Sequence, residues 1–330
     1  MKKKWTGVFA AVLSLTACCL ISAPAFPADQ PYVVAGVGKD RTTWFIRHES
    51  GVLKGAKENG MKGVYATAPT PDEAQQVRII DDYISQGVNA LLVVPNNAKA
   101  LEASFAKARE KGIAVITHES QGQVNADFDI EMFDNTKFGE LMIDQLVTHT
   151  KNQEGSYAIY VGSLTVPAHN MWADAAIARQ KAIYPQLKFI DKFPVSEDRT
   201  ATHHLTKKLL KDYPDLIGIL CMGSEGAPAV AQILREQKIK NKIKVLGVTT
   251  PNTSRRFLKE GYLSEILLWD PAEAARIQAY IAKMVLEGRS SEIKPGFEIP
   301  GFGKPLVIDH NLIFNHPLQI TKDNVDDYDF

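Results

Sequence analysis

Past residue 31 the chain alternates between two patterns. Apolar runs of five to seven residues are followed by windows in which apolar side chains recur every three to four positions. The runs predict strands at Tyr32–Val37, Gly63–Thr67, Ala90–Pro95, Ile113–Thr117, Tyr157–Gly162, Phe189–Val195, Ile217–Met222, Ile243–Val248 and Leu263–Trp269. The windows between them predict helices, as in "DEAQQVRIIDDYISQG", where Ala74, Val77, Ile80, Asp81 and Ile84 share one face. Gly87 and Gly112 end two such windows, because glycine tolerates the left-handed turn of a helix C-terminus. Near-continuous apolar strands separated by helices predict an α/β fold of parallel sheets covered on both faces.

The alternation runs twice, over residues 31–133 and again from "GSYAIYVG" to "LLWD". Two doubly wound parallel-sheet lobes are therefore expected. Residues 31–134 plus 271–300 are assigned to an N-terminal lobe, and 135–270 plus 301–330 to a C-terminal lobe. No low-complexity linker divides the halves, which predicts a hinge of several short crossings. Open sheets bind ligands beyond the carboxyl ends of their strands, so the polar and aromatic residues that follow each run are candidates.

These strand ends carry Lys39, Asp40, Arg41, Trp44 and Phe45, then Asn96 and Asn97, then His118, Glu119 and Gln121. The second half contributes His169, Asn170 and Trp172, then Ser224 and Glu225, then Thr249, Thr250 and Asn252, and finally Trp269 and Asp270. Amides, carboxylates and hydroxyls answer the hydroxyls of a sugar or polyol, and flat aromatic faces cover its C–H surface. Lys39, Arg41 and Glu119 leave a charged ligand open. Trp44 and Asp270 are expected to face each other across the cleft. In the competing reading Trp44 is core packing and Asp270 caps the helix that begins at Pro271.

Composition narrows the function. With 38 basic and 38 acidic residues the formal net charge is zero, so the electrostatic footprint of a nucleic-acid binder is missing. The first residues have a basic start, an apolar run from Val8 to Ile21 and then small residues, the order of a secretory signal over residues 1–28. Cleavage after Ala25 or Ala28 leaves Cys221 as the one cysteine, a buried thiol by its apolar neighbours. "LTAC" offers an alternative, lipidation at Cys18. "GVGKD" lacks the third glycine of a dinucleotide loop and places Asp40 where a phosphate loop needs a hydroxyl. "HES" lacks the second histidine of a zinc helix, and no G-x-S-x-G elbow occurs. Glu119 and Asp270 remain as a carboxylate pair of the glycosidase type.

The segments "LLVVPNNAKALEASFAKAREKGIAVITHES", "VTTPNTSRRFLKEGYLSEILLWDPAEAARI" and "ITKDNVDDYDF" resemble the type I periplasmic binding proteins of ribose-type ABC importers. The likeness spans essentially the whole mature chain and is greatest to the subgroup that binds rhamnose and the furanosyl autoinducer-2. The resemblance implies Lys39 or Arg41 with Trp44 and Phe45 at the ligand, and the family's strand-four acid at Glu119. An Asp-Gln pair of the autoinducer binders falls on Ala168 and His169, and their Pro and Ala contacts fall near Met222 and Ser224. It further implies a periplasmic monomer without cofactor or catalysis. Such a receptor captures a small sugar or polyol between its lobes and passes it to ABC permease subunits. The alternative is a sensor that reports to a chemoreceptor or kinase.

Overall fold

Five helices start on a side chain that accepts a hydrogen bond from the exposed first turn. In the computed structural model, which describes Met1 and residues 31–330, these are Asp72, Asn97, Asp134, Asp198 and Asp270. Each satisfies one of the N–H groups that a helix start leaves unpaired. The export signal of residues 1–28, with Cys18 and both cleavage points, lies outside the described residues.

The first lobe is built by β1 (Val33–Val37), α1 (Thr43–Glu58), β2 (Lys62–Ala66), α2 (Glu73–Gln86), β3 (Ala90–Val93), α3 (Ala98–Glu110), β4 (Ala114–His118) and β5 (Phe128–Glu131). The second begins with α4 (Asn135–Thr150), β6 (Gly155–Val161), α5 (Pro167–Ile183), β7 (Leu187–Pro194) and α6 (Arg199–Asp212). It continues through β8 (Leu216–Cys221), α7 (Gly226–Glu236), β9 (Lys244–Gly247), α8 (Pro251–Glu260) and β10 (Glu265–Leu268). The chain then returns as α9 (Pro271–Leu286), β11 (Leu306–Ile308), β12 (Asn311–Ile313) and β13 (Leu318–Ile320). The first sheet has the order β11-β12-β5-β4-β3-β1-β2 and the second β13-β10-β9-β8-β6-β7. All neighbours pair in parallel except β11 with β12 and β13 with β10.

The tail departs from the sequence assignment of 301–330 to the second lobe. Leu312 and Ile313 pair with Ile130 and Glu131, which puts β11 and β12 on the first sheet, and only β13 joins the second. β5 was also missed. In β5 the buried acids Asp129 and Glu131 interrupt the apolar run that marks the other strands. The buried face of α2 is Gln76, Ile80, Tyr83 and Ile84, whereas Ala74 is exposed and Asp81 only half-buried. A buried glutamine had no place in an apolar pattern.

The backbone passes between the lobes three times, at residues 132–134, 269–270 and 314–317. The first and third crossings run side by side, since the N–H groups of Phe314 and His316 donate to the carbonyls of Glu131 and Met132 at 2.8 and 2.9 Å. The second touches the first through the rings of Trp269 and Phe133, with centroids 4.9 Å apart. One apolar cluster extends from the α1/α9 face of the first sheet through these crossings into the second lobe. A separate cluster fills the space under α2 and α3. Cys221, on β8, is fully buried and free, and burial raises its pKa.

After the second crossing α9 lies against α1, where Gly51 faces Ala272 and Gly55 faces Arg276. A Cβ at residue 51 would come within 2.5 Å of the Ala272 backbone, so the two helices approach only because no side chain stands there. Substituting Gly51→Val should therefore cost about 1–3 kcal/mol through overpacking. Thermal melting should show a fall of several degrees, whereas an unchanged midpoint would mean that α9 is free to shift away.

Candidate functional site

Between the carboxyl ends of the two sheets lies a space lined by Lys39, Trp44, Phe45 and Glu119 from the first lobe and His169, Glu197, Met222, Ser224 and Val248 from the second. Only about 10 Å³ of it accepts the centre of a water molecule, room for roughly one water. The rim is shut by hydroxyl contacts between lobes. Thr43 Oγ1 lies 2.9 Å from Thr250 Oγ1, and Thr165 Oγ1 donates to Glu73 Oε1 at 2.9 Å.

The loop after β1 is held from beneath. Gln76 Nε2 donates to the carbonyls of Gly38 and Val94 at 3.0 and 2.9 Å, while its Oε1 accepts from Asn96 N at 2.8 Å. Asp40 Oδ1 accepts from Thr42 N at 2.8 Å, which starts α1 and places Trp44 and Phe45 in its first turn. Lys39 Nζ then lies 5.5 Å over the Phe45 ring and 3.4 Å from Glu119 Oε2. Glu119 itself has φ of 60°, a left-handed conformation uncommon outside glycine. Backbone strain of this kind concentrates at ligand clamps.

In the second lobe His169 Nδ1 accepts from Gly162 N at 3.1 Å, so its proton resides on Nε2, which lies 3.9 Å from Glu197 Oε1. The other Glu197 oxygen accepts from Ser224 N and Oγ, both at 3.3 Å. Glycine makes room for this carboxylate. A Cβ at Gly162 or Gly223 would lie 2.8 Å from Glu197 carbons.

The pocket thus encloses one ammonium among several carboxylates. Burial works against the charge of Lys39, but Glu119, Glu197 and Asp40 together hold its pKa above the ordinary lysine range. Burial raises the pKa of Glu119 against the pull of Lys39. Glu197 is pushed up to about 8, by burial first and then by Asp40. Burial and the Lys39 charge keep His169 neutral. At neutral pH Glu197 is therefore largely a carboxylic acid able to donate.

Of the twenty strand-end candidates read from the sequence, Lys39, Trp44, Phe45, Glu119, His169 and Ser224 line this space. The others do not reach it. Arg41 is exposed. Asn170 donates to the carbonyls of Ser163 and Val166, holding the start of α5. Trp172 lies on α5 with its indole N–H donated to Asn135 Oδ1 at 2.5 Å, and Trp269 donates to His118 Nε2 at 3.0 Å. Both indoles are core. Pro167 begins α5 at once, so Trp172 is helical and its face is set by packing. Glu225 pairs with Arg199, and Thr250 closes the rim. Asp270 caps α9 and forms a two-pronged ion pair with Arg47 at 2.9 and 2.6 Å. It does not face Trp44 across the cleft, because capping and the guanidinium take both its oxygens. Glu119 and Asp270 therefore do not form a pair across a substrate. Glu197 was missed although it follows the β7 strand end, where the rule used for the other strands would have found it.

Comparison with known proteins follows the same geometry. The periplasmic binding protein domain matches residues 33–290. The ribose import binding protein RbsB of Bacillus subtilis is 22% identical over 296 residues, covering 88% of this chain and 95% of that protein. LsrB from Clostridium saccharobutylicum, solved in complex with AI-2, superposes with a TM-score of 0.83 at 20% identity over 90% of this chain and 100% of that one. An ABC transporter solute-binding protein from Clostridium phytofermentas with bound L-rhamnose gives 0.84 at 19% identity, covering 91% and 98%. Two parallel-sheet lobes, three crossings and a closed space at the strand ends accompany a domain match over most of the sequence, and the chain belongs to the periplasmic binding protein family.

Proposed function

We propose that this protein is an exported receptor that captures one small sugar or sugar-like molecule between its lobes and delivers it to an ABC permease, without turnover. The observation that carries the reading is the buried set Lys39, Trp44, Glu119, His169, Glu197 and Ser224, contributed by both lobes to one space. A ligand there touches both lobes, so it favours the closed form that has all the contacts over the open form that has half of them. The ligands named for the ribose-, AI-2- and rhamnose-binding relatives support a small hydroxylated compound.

The chemistry fits a neutral polyol. Lys39 and His169 Nε2–H donate, Glu119 accepts, and Glu197 does either according to its proton. The Trp44 indole N–H is buried with no acceptor among the described residues. Leaving such a donor unpaired costs about 1–3 kcal/mol, which a ligand oxygen would recover. Since the space as closed here holds about one water, any ligand enters an open form, and the lobes then close around it less fully than in this structure.

Screening sugars, polyols, amino acids and phosphorylated compounds by thermal shift tests this directly. A correct ligand at a hundredfold its dissociation constant stabilises by about 2.7 kcal/mol. If only phosphorylated compounds or amino acids raise the melting point, the reading fails. For that ligand Lys39→Met should cost about 1.5–3 kcal/mol of binding and Trp44→Phe, which keeps a ring but removes the N–H, about 1 kcal/mol. Calorimetric titration measures both, and affinities equal to wild type would remove these residues from the site.

The empty protein should also carry the signature of Glu197. Its folded pKa lies above its unfolded value, so the folded state holds the proton more tightly. That contribution is complete below the ordinary carboxylate range and is lost as pH rises through about 8. Between pH 6.5 and 9 the wild-type melting point should fall relative to Glu197→Gln. Parallel curves would show that Glu197 ionises freely.

A further inference from the structure

A second cavity, of about 440 Å³, opens beside the crossings. Its walls include Phe133 and Asp134 of the first crossing and Phe314, Asn315 and Pro317 of the third. We propose that this groove binds a small amphipathic carboxylate, an apolar body with one anionic end, and that such a molecule clamps the two crossings together.

The size lies within the range of small-molecule sites, and the mixture of a largely apolar lining with a few polar groups is what such sites show. Phe133 and Phe138 stack at 3.8 Å beneath the groove, while Leu306 on the edge strand lines it and is 59% exposed. That apolar surface calls for an apolar partner.

The charges at the rim set the sign of the other end. Lys137 is exposed and its ammonium meets no carboxylate within ion-pair distance among the described residues. Lys304 pairs with Glu298 at 3.3 Å, but both side chains are more than half exposed, and pairs of that kind hold weakly. The one carboxylate in the lining, Asp134, is engaged in capping α4, where Oδ1 accepts from Lys137 N at 3.0 Å. The unpaired Lys137, with Lys304 held only by the exposed Glu298 and Asp134 already committed to the α4 start, favours an anion.

Position gives the groove its consequence. Phe133 packs on Trp269 of the second crossing, and Trp269 donates to His118, the neighbour of Glu119 in the sugar pocket. A molecule held against residues 133 and 314 touches the segments that must turn if the lobes part. It would bias that turning without entering the pocket.

Benzoate is a suitable probe, with benzyl alcohol as its uncharged counterpart. Ligand-observed NMR on the full chain should show saturable benzoate binding that benzyl alcohol matches only at about tenfold higher concentration. Lys137→Glu and Leu306→Asp, both at exposed positions, should each weaken benzoate about fivefold or more while melting points stay at wild type. Hydrogen exchange at the Phe314 and His316 amides should slow when benzoate is present. Non-saturable binding, affinity indifferent to both substitutions, or exchange at 314 and 316 unchanged at saturation would each overturn the proposal. All of these are read without sugar, so they stand or fall apart from the ligand panel.

Discussion

The hydrogen bond from the Trp269 indole to His118 anchors the second crossing to the first lobe. Trp269 lies on the second crossing, and His118 is the last residue of β4 in the first lobe. His118 Nδ1–H donates to the Ile130 carbonyl at 2.6 Å, which leaves Nε2 as the acceptor for the indole. Only a neutral imidazole can make both bonds. Burial lowers its pKa to about 4, so the arrangement is kept at any ordinary pH. Phe133 and Phe138 pack on the same indole, bringing the first crossing to it. From that cluster Glu119 follows directly along the chain, and Trp44 lies parallel to His118 with ring centroids 6.0 Å apart. The pocket is therefore built outward from the hinge.

Against this rigid centre the pocket charges are poorly satisfied, and that is consistent with binding. A buried ion pair contributes little net stability once desolvation is counted. Lys39 and Glu119 are separated by 3.4 Å, longer than a strong charge-assisted bond. Glu197 avoids the cost by holding a proton. Groups in this condition gain from a ligand that offers both donors and acceptors, as every sugar hydroxyl does.

The architecture was legible because strand and helix windows are long and their apolar periods differ. Two lobes followed from the repetition, and several crossings from the lack of a linker between the halves. Most of the site was legible for a simpler reason: parallel sheets deliver their loops to one end, so Lys39, Glu119 and Ser224 could be read by position. Trp172 and Trp269 could not. An indole after a strand looks the same whether it faces ligand or core, and for Trp172 and Trp269 the deciding factor was an acceptor distant in sequence, Asn135 or His118. Asp270 was ambiguous between capping and contact, and Arg47, invisible from the residues beside Asp270, settled it. Gln76 was hidden because its task is to satisfy three backbone groups of other segments.

Cys221 bears on how such a protein is made. Its thiol sits on a central strand, fully buried, with a pKa raised by its apolar surroundings. A thiolate is the form that attacks disulfides and yields to oxidants, and the folded chain offers none there. In the unfolded chain the same thiol is exposed, so the interval in which an oxidant can reach it ends when the second sheet closes over β8. Once β8 is covered, this thiol takes no part in disulfide exchange.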